Sequence, residues 1–170
     1  MVQKTGQVVT LFGGGGFLGR YVAQAIYRTG ARARIAGDKG PARRRVMATA
    51  SYPLYAAAIA ERLGFDDVIA TDTLPDARGR IVARIDGRNC YGLAKLDMIE
   101  AWLQREGLER EAVHIRFYSD HISDAPVHRW SDEAYATNAD ARLIQLAQVE
   151  GWEVLDWRDR AFADPRIDPT

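Results

Sequence analysis

The chain has 170 residues, 47% apolar and 27% charged, ordinary proportions for one soluble globular domain with a real core. Lys plus Arg is 23 and Asp plus Glu is 23, and a net charge of zero argues against a general nucleic-acid binder, which carries a basic excess. The lone cysteine, Cys90, excludes an internal disulfide and a cysteine-rich zinc site, and no apolar run approaches the roughly 20 residues of a bilayer span.

The opening "MVQKTGQ" has no secretory pattern, so cytoplasm is the expected compartment. Residues 8–12, "VVTLF", are an apolar run stopped by four glycines, as in a buried parallel strand. Residues 17–28 then read as a helix, with Val22, Ala25 and Ile26 on one side and Gly30 just past its end. The segment "ARARIAGDKGPARR" stays open. Residues 32–36 read as a second strand, or 32–38 as helix or loop. Too few residues separate Ala36 from the next clear strand, "RVMATA", for a parallel crossover with its own helix. Arg43, Arg44 and Arg45 read as a solvated basic entrance to that strand. "SYPLYAAAIAERLG" follows as an alanine-rich helix, capped by Ser51, with Pro53 in its first turn and Gly64 at its end.

"DDVIAT" is the next strand, and "RGRIVARIDG" a half-exposed hairpin arm. "YGLAKLDMIEAWLQREG" is an amphipathic helix through Leu96, Ile99 and Leu103, on which Lys95 alone would be a surface lysine. "AVHIRFYS" is a strand alternating Val113, Ile115 and Phe117 with His114, Arg116 and Tyr118. "DEAYATN" is a shorter strand, "NADARLIQLAQVEG" a helix capped by Asn138 and closed by Gly151, and "WEVLDW" an edge strand. The tail "ADPRIDPT" reads as loose. His114, His121 and His128 recur every seven residues across strand, loop and helix and share no face, so they are read as unrelated.

Strands alternating with helices predict an α/β fold: an open, mostly parallel sheet with helices on both faces, one domain over residues 1–160 and a tail over 161–170. Ligands on such sheets bind beyond the carboxyl ends of the strands. Gly13, Thr49, Ser51, Asp120 and Asp124 all follow predicted strand ends and are expected on one rim.

Gly13, Gly16 and Gly19 give the spacing G-x-x-G-x-x-G. Glycines allow a sharp strand-to-helix turn and let a pyrophosphate approach the free N–H groups of the helix start. Over about residues 8–38 the turn resembles that of extended short-chain dehydrogenases, which implies NAD(P) binding. Asp38 would read the ribose if residues 32–36 are the second strand. The alternative is a tight turn that packs helix on strand and holds no cofactor.

From about residue 43 to 158 a different resemblance holds. "RVMATAS", "AERLGFDDVIAT", "GRIVARIDGRNCYGLAK", "YSDHISD" and "NADARLIQLAQVEGWEVLDW" are similar, in order and spacing, to the haloacid dehalogenase superfamily and its phosphoserine-phosphatase-like branch. The resemblance implies a phosphatase core acting with Mg²⁺ on a small phosphorylated molecule. Thr49 takes the place of the hydroxyl that bonds the phosphoryl group, and Lys95 that of the lysine that neutralises it. Asp120 takes the place of a magnesium ligand and Asp124 that of a second carboxylate supporting the metal. Phosphoryl transfer calls for such groups, since it is largely positioning and charge stabilisation.

That family begins with a strand and D-x-D-x-T, whose first Asp attacks phosphorus. Here Gly13 stands in the place of the attacking Asp, Gly15 in that of the proton-transferring Asp and Phe17 in that of the Thr. The chain therefore reads as a chimera, a dinucleotide-type start over residues 1–40 joined to residues 41–160 of the second type. Phosphatase activity is expected to be impaired or absent. The rival readings are a nucleotide binder using the glycine turn and a structural chimera without ligand.

Overall fold

A computed structural model describes residues 7–14, 43–78 and 80–156. The elements run β1 (Val8–Gly14), β2 (Arg43–Thr49), α1 (Pro53–Leu63), β3 (Asp67–Ala70), β4 (Thr73–Pro75), β5 (Ile81–Ile85), α2 (Leu93–Arg105), β6 (His114–Ser119), α3 (Ala125–Trp130), β7 (Glu133–Thr137), α4 (Ala141–Glu150) and β8 (Glu153–Leu155). Single 3₁₀ turns lie at Arg110–Ala112 and Ile122–Asp124. Six strands form a parallel sheet in the order β3-β2-β1-β6-β7-β8, and β4 and β5 make a separate antiparallel pair. The predicted α/β class with an open parallel sheet is thus the one observed.

Register sorts the core onto two faces, because successive strand side chains alternate. Leu11 lies level with Val46 and Phe117, and Phe12 with Met47 and Tyr118. The first set packs against Ile99, Trp102 and Leu103 of α2 and Val127 of α3. The second meets Ile59 and Leu63 of α1, and the Phe12 ring stacks on Tyr118 at 5.1 Å. Helices therefore cover both faces. Fully burying each large apolar side chain contributes about 1.5–3 kcal/mol. Ala136, Leu143 and Ala147 close a third cluster where α4 meets β7. No helix among the described residues is long and apolar enough to cross a membrane.

Local expectations hold except where a competing contact wins. β1 runs two residues further than the apolar run, into Gly13 and Gly14. Ser51 does not cap α1: the cap position is Tyr52, with no side-chain bond, and Pro53 at the first turn needs none. The Ser51 backbone is spent elsewhere, its N–H on Thr49 Oγ1 and its carbonyl on the Thr71 N–H. Asn138 does not cap α4. It turns the chain at φ 49°, and Asp140 is the cap, accepting from the Arg142 and Leu143 N–H groups. Nor are Arg44 and Arg45 a solvated entrance. Arg45 is 6% exposed and paired with Asp66, while Arg44 bonds Asp67 and Glu106 and lies over the Trp102 ring. Their partners come from the start of β3 and the end of α2, which the local sequence does not announce.

The expected helix over residues 17–28, the ambiguous 32–38 stretch, Gly16, Gly19 and the tail lie outside the described residues.

Candidate active site

Parallel strands bring their carboxyl ends to one edge, and β1, β2 and β6 are neighbours there. Thr49 ends β2 level with Gly14, and Ser119 ends β6 one residue beyond the Phe12–Tyr118 pair. Asp120 follows immediately.

Lys95 reaches this edge from α2. The helix is entered through Gly92 at φ 59° and ψ −134°, a conformation that strains any residue with a Cβ. Lys95 lies in the first turn and points inward, with 0% exposure. It is not a surface lysine. A lysine is almost never buried so fully unless paired, and its Nζ donates to Asp124 Oδ2 at 2.6 Å. Asp124 is itself 1% exposed. Ser119 Oγ donates to the same carboxylate oxygen at 2.6 Å.

That oxygen also fills a space that the sequence leaves empty. A Cβ built on Gly13 would stand 2.7 Å from Asp124 Oδ2 and 2.7 Å from Phe117 Cζ. Real Cβ atoms do not approach neighbours so closely, so position 13 is glycine for want of room.

Two further carboxylate oxygens at this edge are unsatisfied. Asp124 Oδ1 and Asp120 Oδ1 are both buried without a hydrogen-bond partner, which is costly for any polar atom and more so for a charged one. Burial, reinforced by the neighbouring Asp124 and opposed by Lys95, holds the Asp120 carboxyl above the usual carboxylate range. Two orphaned oxygens on one loop suit a hard divalent cation that keeps several waters, since magnesium is commonly held by only one or two carboxylates. Among the described residues no group of three or more His, Cys, Asp or Glu side chains is arranged to hold a metal. The three histidines have separate partners: Glu133 for His114, Ser123 for His121, and the Phe117 and Trp152 rings for His128.

Thr49 is buried, and its Oγ1 accepts the Ser51 N–H at 3.1 Å, which fixes the turn after β2. Cys90 lies beneath the rim with no exposure. Burial pushes its thiol up to about 11, against the pull of Lys95, so it offers no thiolate nucleophile at neutral pH.

Two contributors were not picked out by sequence. One is Ser119, hidden because a strand-end serine has no distinctive pattern. The other is Asp140. Its Oδ1 caps α4 while its Oδ2 accepts the Ile122 N–H at 3.1 Å, and its own N–H donates to the Asp120 carbonyl at 2.9 Å. One residue thus ties the 120–124 loop to α4. An acid two residues before an apolar helical run was the available signal, and Asn138 masked it.

The edge offers less to a dinucleotide. Both sides of β1 are taken, by β2 along Val8–Gly14 and by β6 from Val8 to Phe12. The place beside the first strand, where a dinucleotide fold sets a strand ending in an acid, belongs to β2. Ala50 and Ser51 follow it, and Asp38 precedes it in the chain.

A family model described as haloacid dehalogenase-like hydrolase matches residues 14–129, from one residue past Gly13 into α3. A phosphoserine phosphatase of Mycobacterium tuberculosis is 35% identical over 103 residues, which are 61% of this chain and 32% of the relative. A histidinol-phosphatase of Neisseria meningitidis serogroup C is 29% identical over 96 residues, 56% of this chain and 43% of the relative. Among solved structures, a protein of unknown function from Bordetella pertussis Tohama I superposes with a TM-score of 0.67 at 28% identity, over 80% of this chain and 58% of that one. The chain spans about a third of the mycobacterial relative's length and under half of the meningococcal one's.

Proposed function

The chain belongs to the haloacid dehalogenase-like hydrolases, and from that premise we propose that its rim binds a small phosphorylated molecule together with Mg²⁺ but hydrolyses it poorly or not at all. Thr49 and Lys95 contact the phosphoryl group, and Asp120 and Asp124 hold the metal. The relatives named phosphoserine phosphatase and histidinol-phosphatase are the reason for choosing a small phosphorylated ligand. The orphaned Asp120 and Asp124 oxygens support the metal assignment, and bound Mg²⁺ would supply positive charge to the phosphoryl oxygens.

The observation that carries the reading is the crowding at Gly13. The family's attacking carboxylate would project from this position, and Gly13 has no oxygen to offer. Asp124 does not replace it, because its Oδ2 is engaged by Lys95 and Ser119 and its Oδ1 is the oxygen the metal needs. Without an attacking side chain there is no covalent phosphoryl-enzyme route. Gly15 likewise gives no proton to the leaving group, and such general acid assistance is worth about 10²–10⁴-fold.

Hydrolysis of an aryl phosphate with Mg²⁺ tests this. The chain should turn over no faster than its Thr49→Ala, Asp120→Asn double variant. Robust Mg²⁺-dependent turnover that the double variant lacks would overturn the proposal.

A further inference from the structure

Lys95 and Asp124 are each other's counter-charge in a space closed to solvent, at 2.6 Å and with exposures of 0% and 1%. Nothing at position 13 competes for the ammonium, since Gly13 has no side chain and Asp124 Oδ2 fills its space. A buried charge left without its partner is strongly destabilising. Asp124 can therefore turn fully to a cation only if another anion takes Lys95. Conversely, an anion reaching Lys95 meets the Asp124 carboxylate on the same ammonium unless a cation has drawn that carboxylate away.

We infer that this rim loads by an exchange of partners, in which Asp124 leaves Lys95 and Ser119 for a divalent cation while Lys95 and Ser119 turn to phosphoryl oxygens. The buried, unpartnered Asp120 Oδ1 and Asp124 Oδ1 are the oxygens that await the cation. Ser119 Oγ, now donating to Asp124 Oδ2, is released with Lys95 and becomes a second donor to the phosphoryl group. Each ligand alone meets a site in which Lys95 and Asp124 still neutralise one another, so each binds weakly alone and tightly with the other. The inference rests on the Mg²⁺ and phosphate site proposed above. Thermodynamic linkage makes the effect reciprocal: whatever factor orthophosphate adds to Mg²⁺ affinity, Mg²⁺ adds to orthophosphate affinity.

Isothermal titration of the whole chain tests the exchange, with Mg²⁺ alone, orthophosphate alone, and each in the presence of the other. The Kd of each ligand should fall by at least about fivefold when the other is present, the lower end of typical coupling. Simple attraction between neighbouring Mg²⁺ and phosphate would also give coupling, and Asp124→Asn separates the two causes. With the competing carboxylate removed, orthophosphate without Mg²⁺ should bind at least about fivefold tighter than it binds the unmodified chain. Orthophosphate affinity that is unchanged or weaker in a folded Asp124→Asn variant would overturn the exchange. So would equal Mg²⁺ affinity with and without orthophosphate in the unmodified chain, a result that needs no variant and leaves the proposed site standing. Absence of any binding with both ligands present would remove the site and the exchange together.

Discussion

At position 13 a hydrogen stands where any other residue would put a carbon, and Asp124 Oδ2 and Phe117 Cζ decide the difference. Phe117 is fully buried between β1 and the α2–α3 layer and has little room to yield. Gly13→Ala should therefore destabilise the fold by about 1–3 kcal/mol, the usual cost of overpacking, read as a lower urea midpoint at unchanged slope. An unchanged midpoint would mean that the Asp124 carboxylate moves aside freely. Restoring an aspartate here would face the same obstacle, because the new side chain must first displace Asp124. The family resemblance brought Gly13 and Lys95 to notice, since both stand at its motif positions. It did not reveal that Lys95 is buried, although Lys95, Ile99 and Trp102 recur at i, i+4 and i+7 and all face the core. Nor could it show that Asp124 folds back over Gly13, because that contact depends on two strands far apart in the chain.

Elements whose ends are set by their own residues were legible, and those set by distant partners were not. Pro53 opens α1, and Gly64 and Gly151 close α1 and α4 in left-handed conformations, at φ 76° and 74°. The α4 cap was assigned two residues early because its true residue, Asp140, is identified by its reach to Ile122 as much as by its own helix. Asp140→Ala should cost about 1 kcal/mol of stability, typical for loss of an N-cap. Burial works against the ionised carboxyl, but the Leu143, Ile122 and Arg142 N–H groups outweigh it and hold the folded-state value below the ordinary 3.8. A depressed carboxyl stabilises the fold fully above its unfolded value and loses that contribution as pH falls through the folded value. The gap between the unmodified chain and Asp140→Ala in thermal or urea melts should thus hold steady from neutrality to about pH 5 and narrow only below 3.8. A gap that narrowed between pH 7 and 5 would assign the effect to another group.

For the molecule as a whole, alternation of strand and helix patterns was enough to predict an open parallel sheet, but not the order of its strands. That order places β1 between β2 and β6, with Val9 and Leu11 wholly buried. Amide hydrogens of β1 should exchange slowest, those of the β4–β5 pair and the edge strand β8 much faster. Comparable rates in β1 and β8 would contradict the central placement.

The same placement bears on how the chain reaches its fold. Val8 lies in register with Arg43 on one side and His114 on the other, so β1 cannot be enclosed until β6 has been synthesised. Non-local parallel pairing of this kind is slow, because the entropy of closing long loops is lost before the contacts repay it. During that delay the apolar run of β1 is an unpaired edge in a nascent chain, the state in which such segments associate with one another. Synthesis rate and chaperone supply, more than the stability of the finished sheet, would then set how much of this protein accumulates in soluble form.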